Sequence, residues 1–255
     1  MTTKACLVTG GAGPGLGASL VHRLADCGWT VWAGDVDLGA ARGVAEVYTG
    51  PGVVRALEMD VRDDAAVRRA VATVVDAHGG LDVVVNSAGV GLVKPIGDVS
   101  DEEFDRVIDV DLKGAWRVIR AALPHLQQRR GAIVNVGSVH VRGASGGYGV
   151  YAAAKAGLVA LTRAVALDYG PTGVRCNVVH PGLIDSEQSR RLISQWAEPE
   201  RWMSEFVTTR QMLHDPITGD DVAAAVVYLA TAAAVTGTEV FVDAGTAAML
   251  FDATD

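Results

Sequence analysis

The sequence predicts an α/β fold in which one doubly wound parallel sheet of about seven strands carries helices on both faces. Two observations indicate this fold. Short apolar segments typical of buried strands alternate along the chain with longer segments whose apolar residues recur at helical spacing. In addition, no linker, repeat or low-complexity tract interrupts the 255 residues, of which 49% are hydrophobic, so we expect residues 1–255 to form a single domain.

The N-terminal elements are a strand, a turn, a helix and a second strand. The apolar run at 4–9 predicts a buried strand, and the glycine-rich turn GGAGPGLG follows at 10–17. A helix with apolar residues at helical spacing then ends near Gly28, because glycine commonly follows the last helical turn. The strand TVWAGD at 30–35 ends on Asp35. This order is typical of a unit that binds a dinucleotide.

The remaining elements repeat the alternation. Further strands are predicted at 52–60, 81–89, 132–138, 174–180 and 238–245, with helices between them. A capping box of Ser100 and Glu103 begins one long helix, and Pro124 either kinks that helix or starts its last turn. A last helix is expected at 220–230. We predict that the segment 183–218 is irregular and covers the substrate as a lid.

The glycine-rich turn and Asp35 together predict which cofactor is bound. Glycines let the backbone approach a pyrophosphate, and the next helix supplies N–H groups and the positive end of its dipole. Asp35 lies about twenty residues beyond the turn, where a carboxylate accepts hydrogen bonds from ribose hydroxyls. The same carboxylate repels the 2′-phosphate of NADP, and no arginine or lysine lies in the turn or just after Asp35. We therefore expect NAD. Asp37 is a weaker alternative that suits a solvated helix N-terminus.

The residues that bear chemistry fall at the carboxyl ends of predicted strands. They are Asp35, Asp60, Asn86, Ser138 and Pro181–Gly182. Ligands of open α/β sheets bind at these ends, near the switch point beside the first strand. We therefore expect these residues to surround one site.

Tyr151 and Lys155 form the second pattern with a chemical meaning. They are four residues apart on a predicted helix, so they share one face. A nearby ammonium favours the phenolate over the phenol, which makes the hydroxyl a usable acid or base near neutral pH. Ser138, at the end of the preceding strand, could hold a substrate oxygen beside it. A Tyr/Lys pair taken alone is more often a buried tyrosine with a lysine that reaches for solvent.

Together these residues resemble the classical short-chain dehydrogenase/reductase family over about residues 4–245. The matching motifs are the cofactor loop Thr9–Gly17, the turn Asn86–Gly89, Ser138 thirteen residues before Tyr151, the pair Tyr151 and Lys155, the turn Pro181–Ser186 and the strand end Asp243–Gly245. The resemblance implies a Rossmann-type fold. It also implies an oxidoreductase that interconverts a secondary alcohol and a ketone by hydride transfer to or from a nicotinamide.

In that family the tyrosine exchanges a proton with the substrate oxygen, the serine orients this oxygen, and the lysine also binds the nicotinamide ribose. The resemblance therefore implies catalytic roles for Ser138, Tyr151 and Lys155. It places Asp60 and Val61 beside the adenine. The implied cofactor-binding residues are Gly10, Gly15, Leu16, Gly17, Asp35, Asp60, Val61, Asn86, Ala88, Gly89, Tyr151, Lys155, Pro181, Gly182, Ile184 and Ser186.

The chain departs from the family pattern at Asp111. The family has an asparagine there, which holds a water that relays protons through the lysine, so the resemblance makes Asp111 a fourth catalytic candidate. A carboxylate at this place stabilises the ammonium form of Lys155 and could oppose the effect of the lysine on Tyr151. The alternative is that Asp111 substitutes for the asparagine without consequence.

A second departure is the length of the glycine-rich loop, which has one residue more than the family motif. Either the turn bulges at Gly11–Gly13, or Gly10 takes the place of Thr9. Ser186 replaces a threonine of the family pattern and keeps the hydroxyl.

His140 and Tyr148 are candidates for substrate contact. His140 follows Ser138, although a solvated loop is an equally good interpretation, and Tyr148 lies three residues before Tyr151. Tyr148 is not the acid/base, because Ala152 stands where its lysine would be needed. The aromatic residues of the lid are Trp196, Trp202 and Phe206. They would suit an apolar or cyclic substrate, or they would pack the lid against itself.

Composition excludes several other functions. A net charge of −8 argues against nucleic-acid and anionic-membrane partners. The N-terminus lacks a signal-peptide pattern, and the nearest apolar run, Val222–Val235, is too short to span a bilayer. We interpret Cys6, Cys27 and Cys176 as reduced, buried thiols of a cytoplasmic protein. No cluster of residues has metal-ligand spacing, so no metal is expected.

We thus expect an NAD-dependent alcohol dehydrogenase or ketone reductase. The resemblance implies a homodimer or homotetramer that assembles through the helices before and after the fifth strand. The alternative from another class is a cofactor-binding sensor, or a partner subunit, without turnover. An epimerase or dehydratase would also use a Tyr/Lys pair, but the chain is short for the extra substrate domain those enzymes usually carry.

Overall fold

The computed structural model describes residues 3–13, 15–143, 145–194 and 197–249. Its strands are β1 (Ala5–Thr9), β2 (Thr30–Asp35), β3 (Val53–Glu58), β4 (Val83–Asn86), β5 (Ala132–Val136), β6 (Arg175–Pro181) and β7 (Glu239–Val242). They pair in parallel in one seven-stranded sheet, in the order β3-β2-β1-β4-β5-β6-β7. The order reverses at β1, which lies between β2 and β4. The predicted doubly wound parallel sheet is therefore confirmed.

Helices connect the strands. They are α1 (Leu16–Ala25), α2 (Leu38–Glu46), α3 (Asp64–His78), α4 (Asp101–Ile108), α5 (Ala115–Arg129), α6 (Gly149–Tyr169), α7 (Glu187–Ile193), α8 (Pro199–Arg210) and α9 (Gly219–Thr231). The predicted capping box is present, since the Ser100 side chain accepts from the Glu103 N–H and the Glu103 side chain accepts from the Ser100 N–H. Pro124 lies inside α5, which continues to Arg129.

The central strands β1, β4 and β5 are buried on both faces because they are mostly apolar. Leu7 and Val8 are adjacent in β1 and point to opposite faces, yet both are fully buried. Leu7 belongs to the cluster formed with α3 and α5, and Val8 to the cluster formed with α1 and α9. This packing leaves the ends of the strands as the place for polar chemistry.

One prediction about regular structure is wrong, and one helix is missing from the predicted elements. The segment 183–218 is not irregular, because it contains α7, capped by Ser186, and α8, which has Pro199 at its first position. The helix α2 was not predicted. Its N-cap is Asp37, whose side chain accepts from the Ala40 N–H at 2.9 Å, as expected for a solvated helix N-terminus.

The long helix predicted from Ser100 is also interrupted. A π-helical turn at Asp109–Gly114 separates α4 from α5. The buried Arg117 guanidinium holds this turn by donating to Asp109 Oδ1 at 2.9 Å and to the Val61 carbonyl at 3.3 Å. Such insertions often occur at functional sites, and this one contains Asp111.

The longest apolar helix is not where the sequence placed it. Within the described ranges, Gly149–Thr172 rather than Val222–Val235 is long and apolar enough to cross a membrane, by length and mean hydropathy alone. This helix packs against β6 and carries the buried Lys155, as a core helix of an α/β sheet does.

The prediction of three buried thiols is wrong at one position. Cys6 and Cys176 lie in strands and are buried, whereas Cys27 is exposed. The reason is that α1 ends at Ala25, so that Cys27 falls in the solvent-facing turn before Gly28.

Candidate active site

The carboxyl ends of β1, β4 and β5 lie side by side, so the residues that follow these strands are brought together. Asn86 is in register with Thr9 on one side and with Asn135 on the other. The Asn86 amide donates to Asn135 at 2.8 Å, and Asn135 donates to Thr162 of α6 at 2.8 Å. This buried network connects the strand ends to the helix that carries Tyr151.

The glycine-rich turn folds tightly over the end of β1. A Cβ atom on Gly17 would lie 2.2 Å from the Gly10 carbonyl oxygen, and one on Gly15 would lie 2.5 Å from the Ser186 Cβ. Gly15 also has a φ of +96°, which favours glycine. No side chain fits at these two positions, so Gly15 and Gly17, with Leu16 between them, form a backbone cradle at the N-terminus of α1.

Thr9 connects this loop to the turn after β4. The Thr9 Oγ1 atom accepts from the Ser87 and Ala88 N–H groups, each at 3.1 Å, at the end of β1. Gly10 packs directly against Ala88, since an added Cβ would lie 2.8 Å from its Cα. These contacts favour the alternative in which Thr9 keeps its own place and the turn bulges at Gly11–Gly13.

Asp35 joins the glycine-rich turn to the end of β2. Its Oδ2 atom accepts from the Ala12 N–H at 3.1 Å, and its Oδ1 atom accepts from the Asp37 N–H at 3.1 Å. An ionised carboxylate can accept about four hydrogen bonds, so each oxygen remains able to accept one more. The structure thus places Asp35 at the turn, as predicted.

Asp60 and Val61 follow β3, but Asp60 has a partner that the sequence did not predict. Arg62 donates from Nη2 to Asp60 Oδ2 at 2.7 Å and from Nε to Oδ1 at 3.0 Å. These hydrogen bonds hold the pKa of Asp60 below its ordinary value. Val61 is buried beside Gly114 of the π-helical turn. Contact of this pair with adenine stays a prediction, and Arg62 would compete for the Asp60 carboxylate.

Tyr151 and Lys155 lie on one face of α6, at the carboxyl end of the sheet. The Lys155 Nζ atom is 5.4 Å from the centroid of the Tyr151 ring and donates to the Val136 carbonyl at 3.0 Å. Ser138 follows β5 two residues later and is buried. The structure therefore brings the three predicted catalytic residues to one strand end.

The buried carboxylate of Asp111 faces Lys155. Its Oδ2 atom lies 3.3 Å from the Lys155 Nζ atom, and its Oδ1 atom accepts from the Val90 N–H at 2.8 Å. Gly89 leaves room for the pair, because an added Cβ would lie 3.0 Å from Oδ2. Burial raises the pKa of Asp111, and Lys155 opposes this rise.

Burial disfavours the ammonium form of Lys155, but the neighbouring Tyr151 and Asp111 outweigh it and raise the pKa of Lys155. We therefore assign Lys155 as an ammonium at neutral pH. The predicted effect of Asp111 on Lys155 has the expected direction.

His140 and Tyr148 join the same cluster. The His140 Nδ1 atom lies 3.3 Å from Ser138 Oγ, and its ring is 4.4 Å from the Tyr148 ring and 5.8 Å from the Tyr151 ring, between centroids. Burial lowers the pKa of His140, so its ring is neutral. Its Nε2 atom is buried without a hydrogen-bond partner among the described residues.

The turn after β6 is fixed from both sides. The Gly182 N–H donates to the Val242 carbonyl at 2.9 Å, and Ile184 forms a β-bridge with Ile217. Ser186 contacts the glycine cradle at Gly15. Of the predicted residues, Ser186 thus lies beside Gly15, and Pro181, Gly182 and Ile184 precede it in the same turn.

The segment predicted to be a lid contains α7 and α8. Trp202 and Phe206 pack against each other on α8, with 5.3 Å between ring centroids. This contact favours the interpretation in which aromatic residues pack the lid itself. Trp196 lies outside the described residues.

His180 is a polar residue of this site whose role sequence analysis missed. It is fully buried at the end of β6 and accepts from the Ser138 N–H. The only signal in the sequence was a histidine at a strand end, which does not reveal a partner. Across the described ranges, no group of His, Cys, Asp and Glu residues could hold a metal ion.

Comparisons with known proteins agree with this geometry. A family profile described as Enoyl-(Acyl carrier protein) reductase matches residues 11–247. The chain is 34% identical over 249 residues to 3beta-hydroxysteroid dehydrogenase 1 of Eggerthella lenta, which covers 95% of this chain and 93% of that protein. It is 36% identical over 198 residues to an uncharacterized NAD-dependent oxidoreductase of Mycobacterium tuberculosis, with 75% and 72% covered.

Among solved structures, a protein described as a short-chain dehydrogenase/reductase from Burkholderia xenovorans has a TM-score of 0.92 and 32% identity to this chain. The similarity covers 96% of this chain and 97% of that protein.

Proposed function

The chain belongs to the classical short-chain dehydrogenase/reductase family and is an oxidoreductase, and from this premise we propose that it interconverts a secondary alcohol and a ketone with NAD, using Tyr151 as acid and base. One observation carries the proposal. The Lys155 ammonium is fixed by the Val136 carbonyl at 3.0 Å, with its Nζ atom 5.4 Å from the centre of the Tyr151 ring, beside the end of the sheet.

The chemistry of these side chains suits a proton transfer. An ammonium held near a phenol stabilises the phenolate that forms when the hydroxyl gives up its proton. In the oxidation of an alcohol, Tyr151 takes the hydroxyl proton, and in the reduction of a ketone it returns one. Ser138 holds the substrate oxygen by a hydrogen bond, so that the oxygen faces the tyrosine.

The residues of the cradle fit a dinucleotide. A side chain at Gly15 or Gly17 would collide with Ser186 or with the Gly10 carbonyl, so glycine lets this turn close over the N-terminus of α1, whose N–H groups suit a pyrophosphate. The buried Asn86 Oδ1 atom has no hydrogen-bond partner within the described part of the chain, as expected beside a polar ligand. NAD would supply the hydride acceptor or donor. Asp35 would hold its ribose hydroxyls.

We propose NAD rather than NADP because the Asp35 carboxylate lies at the turn, where it would repel a 2′-phosphate. The relative from Mycobacterium tuberculosis that is called NAD-dependent supports this choice.

We propose a cyclic, mostly apolar secondary alcohol or ketone as the substrate class. The hydroxysteroid dehydrogenase from Eggerthella lenta supports a cyclic substrate for this chain. His140 and Tyr148, next to Ser138 and Tyr151, would contact the substrate.

We propose that the protein acts in the cytoplasm as a homodimer or homotetramer. The exposed apolar residues Trp116 of α5 and Leu167 of α6 support an assembly through these helices, which precede and follow β5. Trp116 is 39% exposed and Leu167 is 79% exposed.

A panel of cyclic and acyclic secondary alcohols, each with NAD or NADP, tests the proposal through the absorbance of the reduced nicotinamide. We expect reduction of NAD with a cyclic alcohol and little reduction of NADP. Binding of NAD without oxidation of any alcohol or reduction of any ketone would instead support the sensor or partner subunit without turnover.

A further inference from the structure

His180 is the most enclosed ionisable residue near the site that the proposed reaction does not use. Its side chain is fully buried in β6, between β5 and β7. The ring is stacked on Phe241 of β7, with 4.6 Å between centroids and an angle of 30° between planes. On the other side, an added Cβ on Gly137 would lie 2.3 Å from His180 Nδ1. The ring therefore has one position.

The hydrogen bonds of His180 determine its tautomer. The Ser138 backbone N–H can only donate, and it lies 3.1 Å from His180 Nδ1, so Nδ1 must be the acceptor. The proton of the neutral ring is then on Nε2, which donates to Glu239 Oε2 at 3.0 Å. Burial lowers the pKa of His180, although Glu239 opposes this effect, and a neutral ring is what an acceptor at Nδ1 requires.

The chain of contacts continues to the helix that carries the acid/base pair. The other carboxylate oxygen of Glu239 accepts from Arg163 of α6 at 2.5 Å. Arg163 lies eight residues after Lys155 on the same helix. Three polar contacts thus connect Ser138, at the end of β5, through His180 of β6 and Glu239 of β7 to Arg163 of α6.

This row of serine, histidine and carboxylate differs from a hydrolytic triad. In such a triad the ring contacts the serine hydroxyl and takes its proton. Here the ring binds the backbone N–H of Ser138, and the Ser138 Oγ atom contacts His140 instead. His180 therefore has no path to activate the hydroxyl and can act only on the position of the Ser138 backbone.

We propose that His180, whose Nε2–H is held by Glu239, is a positioning residue that holds the Ser138 backbone so that the hydroxyl meets the substrate oxygen. This inference rests on the proposed role of Ser138. The mechanism is geometric, because a displacement of about 1 Å in a positioning group can reduce turnover by about a hundredfold.

Two amide variants separate the two hydrogen bonds of the ring. The amide of His180→Asn overlays Nδ1 and can still accept from the Ser138 N–H, but it does not reach Glu239. The amide of His180→Gln overlays Nε2 and keeps Glu239, but it loses Ser138. We expect kcat to decrease between about tenfold and a hundredfold in His180→Gln, with the KM for NAD unchanged, and less in His180→Asn.

A double-mutant cycle with Ser138→Ala distinguishes positioning from general packing. If His180 acts through the Ser138 hydroxyl, His180→Gln lowers kcat in the native background and has little further effect once that hydroxyl is gone. An equal decrease in both backgrounds, or an unchanged kcat in the native background, overturns the proposal. If the wild-type protein oxidises no alcohol, the proposed function itself is wrong. This outcome is distinct from a failure of the inference about His180, which shows only in the variants.

The proposal stays testable if the variants do not fold. Nitrogen-15 NMR of the wild-type imidazole reports which ring nitrogen carries the proton. We expect a neutral His180 ring protonated at Nε2 at neutral pH. A ring protonated at Nδ1, or at both nitrogens, contradicts the proposal.

Discussion

The Lys155 Nζ atom lies 3.3 Å from the Asp111 Oδ2 atom, and only 4% and 0% of the two side chains are exposed. A π-helical turn directs the Asp111 side chain into the protein interior, where its Oδ1 atom accepts from the Val90 N–H. A buried ion pair of this kind contributes little net stability, because desolvation offsets the attraction. Its consequence is therefore expected in the titration of Lys155 rather than in the free energy of unfolding.

Replacing Asp111 with Asn should keep turnover but move its pH dependence. Asp111 is one of the two neighbours that raise the pKa of Lys155, so removing the charge lowers that pKa. Activity that needs the ammonium is lost as pH rises through this pKa. The alkaline limb of the kcat profile should thus move to lower pH in Asp111→Asn. The exposed Asp105→Asn is the matched control, and an unchanged profile in Asp111→Asn counts against any special role of the carboxylate.

Replacing Gly15 with Ala should weaken NAD binding and the fold together. The residue has a φ of +96°, and a Cβ would lie 2.5 Å from that of Ser186, so we expect a loss of about 1–3 kcal/mol in the free energy of unfolding. Gly43→Ala in the exposed middle of α2 is the control, because nothing lies within 4 Å of an added Cβ there. It should stabilise the protein by about 0.5–1 kcal/mol. Calorimetric unfolding with and without NAD measures the stability and the NAD binding of each variant. A Gly15→Ala protein that binds NAD with native affinity contradicts the proposal that this turn holds the cofactor.

Replacing Asp35 with Ser should reduce the preference for NAD over NADP by about tenfold or more. A like-charge contact near a protein surface costs between about 1 and 4 kcal/mol, and the variant removes the one between the carboxylate and the 2′-phosphate. Asp37→Asn is the control, because Asp37 caps α2 and asparagine is an equally good cap. The ratio of kcat/KM for the two cofactors measures the effect. If both variants keep the same ratio as the native protein, Asp35 does not select the cofactor.

One thiol of the folded protein should react quickly with a thiol reagent. Cys27 is exposed, whereas Cys6 and Cys176 are buried, and burial raises the pKa of Cys176 to about 12. Cys27→Ser should remove the fast phase, and unfolding should expose the two slow thiols. Two or three fast thiols in the native state would contradict the burial of β1 and β6.

The sheet and the strand ends were predictable because the strands are mostly apolar and several polar residues follow the points where they end. Asp35, Asn86, Ser138 and Lys155 are close to the places that the sequence indicated. The helix α2 was missed because its nine residues, LGAARGVAE, include two glycines, which weaken the helical signal.

The contacts that tune the site were less predictable, because they depend on register and on irregular backbone. DVDLKG reads as ordinary helix, and only the structure shows that it forms a π-helical turn. The partnership of His180 with Glu239 depends on how β7 pairs with β6, and that of Asp60 with Arg62 on side-chain direction. Residues 186–210 contain two signals of helix starts, the N-cap Ser186 and Pro199 at the first position of α8, although the prediction for this segment was irregular structure.

The measurement that tests the central proposal most directly compares Tyr151→Phe with Tyr148→Phe. Each variant removes one hydroxyl from the same aromatic cluster, but only Tyr151 has Lys155 on its face of α6. With NAD and a secondary alcohol that the native protein oxidises, Tyr151→Phe should lose about a hundredfold to ten-thousandfold in kcat while it still binds NAD. Tyr148→Phe should turn over within about tenfold of the native rate. A Tyr151→Phe protein that is as active as Tyr148→Phe would show that Tyr151 is not the acid/base.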